Sequence, residues 1–369
     1  MTAPQVMVRG RPYDLVTGGA GFIGCNLANA LLDEGRAVMI ADNFTRPGVE
    51  ANAEWLRRRH PGRLSIRGID VRDADAVADL ASRASAIYHL AAQVAVTTSV
   101  LEPREDLEVN LIGTLNVLEG ARAASPCPPV LFASTNKVYG TLDHMEQVLT
   151  PAGYRFREGE GVDEHAPLDF HSPYGCSKGA ADQYVRDYAR IYGVPTVVFR
   201  LSCVYGEHQH GTEDQGWLAH LGRSVLDGRP ITIYGDGSQA RDVLWVGDLV
   251  RAMRSAMARA EQLAGAVFNI GGGSANVVSV RSAVDMLMEL AGRRVPVRTS
   301  GWRPGDQRVY VSALDLARER LQWRPLVEVR EGLVRLVRWL RAEQSAPLRG
   351  RARPRRPASR AAATAGRGG

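Results

Sequence analysis

Tyr174 and Lys178, in Tyr174-Gly175-Cys176-Ser177-Lys178, have the residue types and spacing for proton transfer. On a helix, positions four apart share one face, one turn from each other. A phenol is a poor base with an ordinary pKa near ~10, and an ammonium held beside it favours the phenolate. The same ammonium can bond sugar hydroxyls. The chain has only two lysines, Lys137 and Lys178, among 46 basic residues. Where arginine serves almost everywhere, two retained lysines mark positions that want a compact, titratable cation. Tyr-x-x-x-Lys alone also fits an ordinary exposed helix, so its meaning depends on what surrounds it.

The apolar run Asp14-Leu15-Val16-Thr17 leads into Gly18-Gly19-Ala20-Gly21-Phe22-Ile23-Gly24, and Asn26 to Leu32 reads as an amphipathic helix. Strand, glycine turn and helix form a cradle for a pyrophosphate. Gly18, Gly21 and Gly24 let the backbone turn and approach it, and the helix start at Phe22 and Ile23 offers free N–H groups. A second apolar run from Ala37 ends in Asp42, followed by Asn43. Its distance from the glycines is about the ~20 residues expected of the acid that bonds the adenosine ribose. A carboxylate there repels a 2′-phosphate, which favours NAD, although Arg46 leaves NADP open.

At 369 residues and 45% hydrophobic, the chain can build one large or two modest cores. The four cysteines, Cys25, Cys127, Cys176 and Cys203, show no metal-ligand spacing and no paired framework, as in a reduced cytoplasmic protein. No metal site, signal peptide or membrane span is expected. The net charge of +6 comes from the end of the chain. Ser345 to Gly369 carries seven arginines and no acid, which leaves +6 − 7 = −1 for the rest. That composition cannot bury a core, so 344–369 is expected to be a disordered tail. No nucleic-acid or membrane partner is expected.

Strand-like runs at Ala86 to Ala91, Val130 to Ser134, Thr196 to Leu201 and Val267 to Ile270 alternate with helical stretches. The alternation predicts an α/β fold, a Rossmann-type doubly wound parallel sheet with a smaller, mainly C-terminal substrate-binding domain. Residues 1–199 and 244–273 are assigned to the NAD-binding domain, and 200–243 and 274–343 to the nucleotide-sugar-binding domain.

From about Tyr13 to Leu340 the chain resembles the extended short-chain dehydrogenase/reductase family of nucleotide-sugar enzymes. The motifs are Thr17 to Gly24, His89-Leu90-Ala91-Ala92, Ser134 to Gly140, Pro173 to Lys178, and Tyr234 to Asp242. The resemblance implies that Asp70 and Val71 border the adenine, and that Leu90, Ala91 and Ala92 line the cofactor groove. It also implies that Thr135 bonds the reacting sugar oxygen, Tyr174 exchanges its proton and Lys178 holds the nicotinamide ribose. A homo-oligomer is implied as well.

Dehydratases of this family carry acids just after the threonine, where this chain has Asn136 and Lys137. The resemblance therefore favours epimerisation by transient oxidation, rotation of the keto-sugar and hydride return. Longer strings, Asp169 to Lys178 and Gln209 to Trp217, resemble the branch of the family that inverts C2. For a nucleotide-diphosphate sugar the resemblance implies contacts from Thr135, Asn136, Lys137, Cys203, Gln209, Arg241 and Arg303. Plainer roles compete: surface ion pairing for Arg303, carboxylate pairing for Lys137, packing for Cys203, and hydrogen-bonded scaffold for His89 and His171. A catalytically silent NAD-binding scaffold would break Thr135, Tyr174 or Lys178, and all three are present.

Overall fold

The computed structural model describes residues 12–303 and 307–345. The tail assignment therefore lies outside the described residues, apart from the last two residues of the helix Val329–Ser345.

Seven parallel strands form the central sheet. In spatial order they are Ala266–Ile270, Thr196–Leu201, Val130–Thr135, Ala84–His89, Tyr13–Thr17, Val38–Asp42 and Leu64–Gly68. Chain order runs outward in both directions from the boundary between Tyr13–Thr17 and Ala84–His89, the doubly wound arrangement expected. Parallel strands covered on both faces read as unbroken apolar runs, and every residue of Tyr13–Thr17, Val38–Asp42 and Thr196–Leu201 is buried. One apolar layer joins Leu27, Leu31, Ile40, Phe199 and Phe268, and the other joins Leu15, Ile87, Phe132, Val185 and Val198.

Thr17, Asp42, His89 and Thr135 are the last residues of four strands and lie along one edge of this sheet. Ligands bind where the winding reverses, outside the carboxyl ends of the strands, so the topology delivers these four residues to one crevice. The strand expected at Ala86 to Ala91 is Ala84–His89, and Leu90 and Ala91 lie beyond it.

Above that edge lie the smaller sheets. Ile231–Tyr234 pairs with Val297–Ser300, and Ala240–Trp245 pairs with Cys203–Tyr205, Val277–Ser279 and Val309–Tyr310. The helices Trp217–Asp227, Val280–Ala291 and Val329–Ser345 close a separate core around Leu221, Leu287 and Leu336. The boundaries at 199/200 and 243/244 fall inside Thr196–Leu201 and Ala240–Trp245. Leu314, Ala317, Leu321 and Trp323, placed with the sugar-binding part on sequence, pack into the core of the large sheet. Local sequence carries no mark of this return, because the partners of that segment lie far away in the chain.

Candidate active site

The glycine turn is built by exclusion of side chains. Gly18 has φ +67, and a Cβ on it would lie 2.7 Å from the Ala91 nitrogen. A Cβ on Gly24 would lie 2.3 Å from the Gly18 carbonyl oxygen. The helix Phe22–Asp33 begins at Gly21 with no side-chain cap, so its first N–H groups point into the turn. Asp42 fixes the other wall. Its Oδ2 accepts from the Ala20 N–H at 3.0 Å and its Oδ1 from the Phe44 N–H at 2.9 Å. Burial pushes the Asp42 carboxyl up, while these backbone donors and Arg46 pull it down. A cradle that any Cβ would fill, next to a held carboxylate, suits a dinucleotide with free ribose hydroxyls.

Beside Asp42, Asn43 donates to Asp70 at 3.2 Å, and Arg72 pairs with Asp70 at 2.8 Å, which holds that carboxyl down at about 2. Val71 turns its side chain into the core against Gly113, and its carbonyl accepts from Asn116. Leu90 and Ala91 are half-buried, their N–H groups directed at the Thr17 hydroxyl, and Ala92 follows half-buried. His89 is scaffold, as expected. Its ring bridges Thr17 at 2.7 Å and Thr114 at 2.9 Å, and burial drives its pKa down to about 3.

Tyr174 and Lys178 lie on the helix Ser172–Tyr192 and are both buried. Thr135 ends the strand Val130–Thr135 near this helix, and its hydroxyl pulls the Tyr174 phenol down. The Lys178 ammonium sits 4.0 Å from the Phe132 ring centroid, and burial lowers its pKa to about 7, against the pull of Asp182 and Asp106. One expectation is corrected. Burial pushes the Tyr174 phenol up to about 12, and the cation that pulls it down is Arg46 rather than Lys178. Spacing places the pair on one face of the helix, but the protein alone leaves the phenol protonated near neutrality.

Thr135 also caps the short 3₁₀ turn Asn136–Tyr139 by accepting from the Lys137 N–H at 3.3 Å. Asn136 and Lys137 both donate to Gln307 Oε1, at 3.4 and 3.5 Å, while Gln307 Nε2 donates to the Gly140 carbonyl at 2.5 Å. Arg241 reaches the same residue, donating to the Gln307 carbonyl at 2.5 Å. Gln307 thus joins the turn after Thr135 to the expected phosphate-binding arginine. A cleft lined by Val96, Lys137, Gly140, His171 and Ser172 opens beside it. His171 pairs at the surface with Asp169 at 3.0 Å.

The remaining sugar-side residues are less gathered. Cys203 is a half-buried free thiol pushed up by burial, with Arg241 and Lys137 acting on it. Gln209 is buried against Gly216; its Nε2 donates to Val204, and its Oε1 has no partner among the described residues. Arg303 lies 4.1 Å over the Tyr234 ring and pairs with Glu213 at 3.5 Å and Asp214 at 3.6 Å. Sequence reasoning missed Gln307 and Asp106, which belong to no motif, and weighed Arg46 only for its bearing on NADP.

Relatives carry the same plan. The chain is 38% identical over 338 residues to CDP-paratose 2-epimerase of Salmonella typhi, covering 88% of this chain and 98% of that protein. A UDP-glucose 4-epimerase from Thermotoga maritima, solved with UDP-glucose, superposes with a TM-score of 0.77 at 30% identity, covering 90% of this chain and 99% of that one. A dTDP-glucose 4,6-dehydratase from Streptomyces venezuelae with NAD bound gives a TM-score of 0.79 at 30% identity, over 90% and 98%. The family model for the NAD dependent epimerase/dehydratase family matches residues 15–271, from the first strand through the glycine cradle and the catalytic helix, and the chain belongs to that family.

Proposed function

We propose that the protein is a nucleotide-sugar epimerase acting on CDP-paratose, inverting sugar C2 with no net oxidation. The observation that carries this reading is the turn after Thr135. It presents an amide and an ammonium, Asn136 and Lys137, both tied to Gln307, where elimination of water would call for carboxylates. The 38% identity to a CDP-paratose 2-epimerase supports the choice of sugar. An epimerase of another UDP- or dTDP-linked sugar is the alternative.

Bound in the cradle, NAD supplies a hydride acceptor and a positive ring that adds to the pull of Arg46 on the phenol. Tyr174 takes the proton of the C2 hydroxyl as the C–H bond at that carbon gives up its hydride. Thr135 donates a hydrogen bond to the oxygen on which charge develops. Lys178 holds the ribose side of the pocket and keeps a cation below the phenolate. The keto-sugar would then rotate and be reduced by the bound cofactor on its other face, with Tyr174 giving the proton back to the oxygen. Arg241 and Arg303 hold the diphosphate through this rotation. We assign the protein to the cytoplasm, which suits its four free cysteines. We also infer a homo-oligomer, because the helices Val96–Leu101 and Ser172–Tyr192 leave Val100, Leu101, Tyr184 and Ile191 exposed.

The test is incubation of the purified protein in D2O with CDP-paratose and a panel of CDP-, UDP- and dTDP-sugars, followed by NMR of the sugar protons. Inversion at C2 without deuterium uptake is expected. Deuterium at C2 would mean carbanion chemistry, loss of water would mean dehydration, and turnover of a different sugar alone would replace the substrate.

A further inference from the structure

Asp106 is a buried carboxylate beneath the catalytic pair that the reaction above does not use. It is fully buried in the helix Pro103–Leu107, which runs through a π-turn, Glu108–Ile112, into the helix Gly113–Ala123. A π-turn adds a residue to the helix and is common near functional sites. Asp106 and Asn110, four residues apart, share one face of this segment against the helix Ser172–Tyr192. Ser177, between Tyr174 and Lys178 in sequence, donates to Asp106 Oδ2 at 2.5 Å. Asn110 and Gln93 both donate to Asp106 Oδ1 at 3.1 Å. Asn110 also bonds the Ser177 hydroxyl at 3.1 Å. Burial pushes the Asp106 carboxyl up, while these three donors and Lys178 favour its ionised form.

The other charges facing the pair differ in how they are matched. Asp182, on the catalytic helix, is gripped by Arg200 through both oxygens at 3.0 Å and by the Ser134 hydroxyl at 2.8 Å. His89, from the strand Ala84–His89, is held neutral by burial and by Lys178. Arg46, after the strand Val38–Asp42, faces Tyr174 and Asp42. Asp106 has no ion pair among the described residues, and it acts on both Tyr174 and Lys178. We propose that Asp106 is a positioning residue whose charge, tied to the helix Ser172–Tyr192 through Ser177, sets the protonation balance of the Tyr174–Lys178 pair. The proposal rests on the assignment of these two residues as the proton-transfer pair.

Asp106 raises both partners, favouring ammonium at Lys178 and neutral phenol at Tyr174. In Asp106→Asn the amide keeps the shape and loses the charge, so both groups release protons at lower pH. The acid limb of the rate profile, which needs phenolate, and the alkaline limb, which needs ammonium, both move down. The pH optimum of turnover follows by about one unit, the scale of removing one neighbouring charge. With only two lysines, the charge can also be read without substrate. Protein carrying 13C-lysine and saturated with NAD gives two ε-carbon resonances, assigned with Lys137→Arg. In Asp106→Asn the Lys178 midpoint falls and that of Lys137 stays. Ser177→Ala, which cuts the strongest tie and keeps the charge, leaves the Lys178 midpoint in place. An unmoved Lys178 in Asp106→Asn, or equal movement in both variants, overturns the proposal. Silence with every sugar would instead refute the proposed function, while the NMR titration would still decide the role of Asp106.

Discussion

The two walls of the crevice are held in different ways. On the cofactor side, backbone groups are the ones held. The N–H groups of Gly18, Gly21 and Leu90 bond the carbonyls of Ala41, Gly18 and Thr17, the Asp42 carboxylate takes the Ala20 N–H, and a single added carbon at Gly24 would strike the Gly18 carbonyl. On the sugar side, side chains hold one another: Asn136 and Lys137 on Gln307, Arg303 on Glu213 and Asp214, with the Gln209 Oε1 unpartnered. Under the proposed function, the wall of fixed backbone holds the cofactor, and the wall of exchangeable side-chain contacts lets a keto-sugar turn over.

The largest test of this contrast removes the atom at which the walls meet. Tyr174→Phe deletes the phenol proposed to carry the proton but leaves the cradle untouched. Turnover should fall by about 10³-fold, the scale of general acid–base catalysis, with NAD still bound by absorbance. Retained turnover would transfer the proton to another group. Next in size is Gly24→Ala. Overpacking against backbone costs about 1–3 kcal/mol, so a lower melting temperature and loss of co-purifying NAD are expected. Gly21→Ala should do less, since its Cβ would lie 3.1 Å from the same oxygen. Equal behaviour of the two would mean the cradle is softer than its geometry.

How far each wall is legible in the sequence follows from the same contrast. The cradle is local: Gly18 to Gly24 and Asp42 specify it through backbone requirements that only certain residues meet. The pair on the catalytic helix is legible from spacing alone. Its electrostatics are not, because they come from Arg46, Asp106, Asp182 and Phe132, brought in from three other segments and one turn along the same helix. Gln307 is silent for the same reason. It lies 171 residues from Asn136 in sequence and gains its meaning only when the strand Val309–Tyr310 pairs with Ala240–Trp245. The return of Leu314 to Trp323 to the large core, and the strands that cross the expected boundaries, are long-range packing with no local signature.

The smallest expected effect is at Arg303, and it bears most directly on the sugar side. Its guanidinium is about one-third exposed, stacked on Tyr234 and shared between Glu213 and Asp214. Exposed ion pairs of this kind contribute roughly 0–1 kcal/mol, so little stability is lost in Arg303→Ala. A diphosphate must compete with two carboxylates for that guanidinium, which discounts what Arg303 can add to binding. Arg241, by contrast, is buried and donates to the Gln307 carbonyl. Arg303→Ala should therefore raise KM by only a few-fold with kcat nearly unchanged. The double substitution Glu213→Gln with Asp214→Asn should lower KM, because it frees the arginine for the substrate. If Arg303→Ala instead lowers kcat as strongly as Tyr174→Phe, then Arg303 holds the transition state, and the sugar wall is as fixed as the cofactor wall.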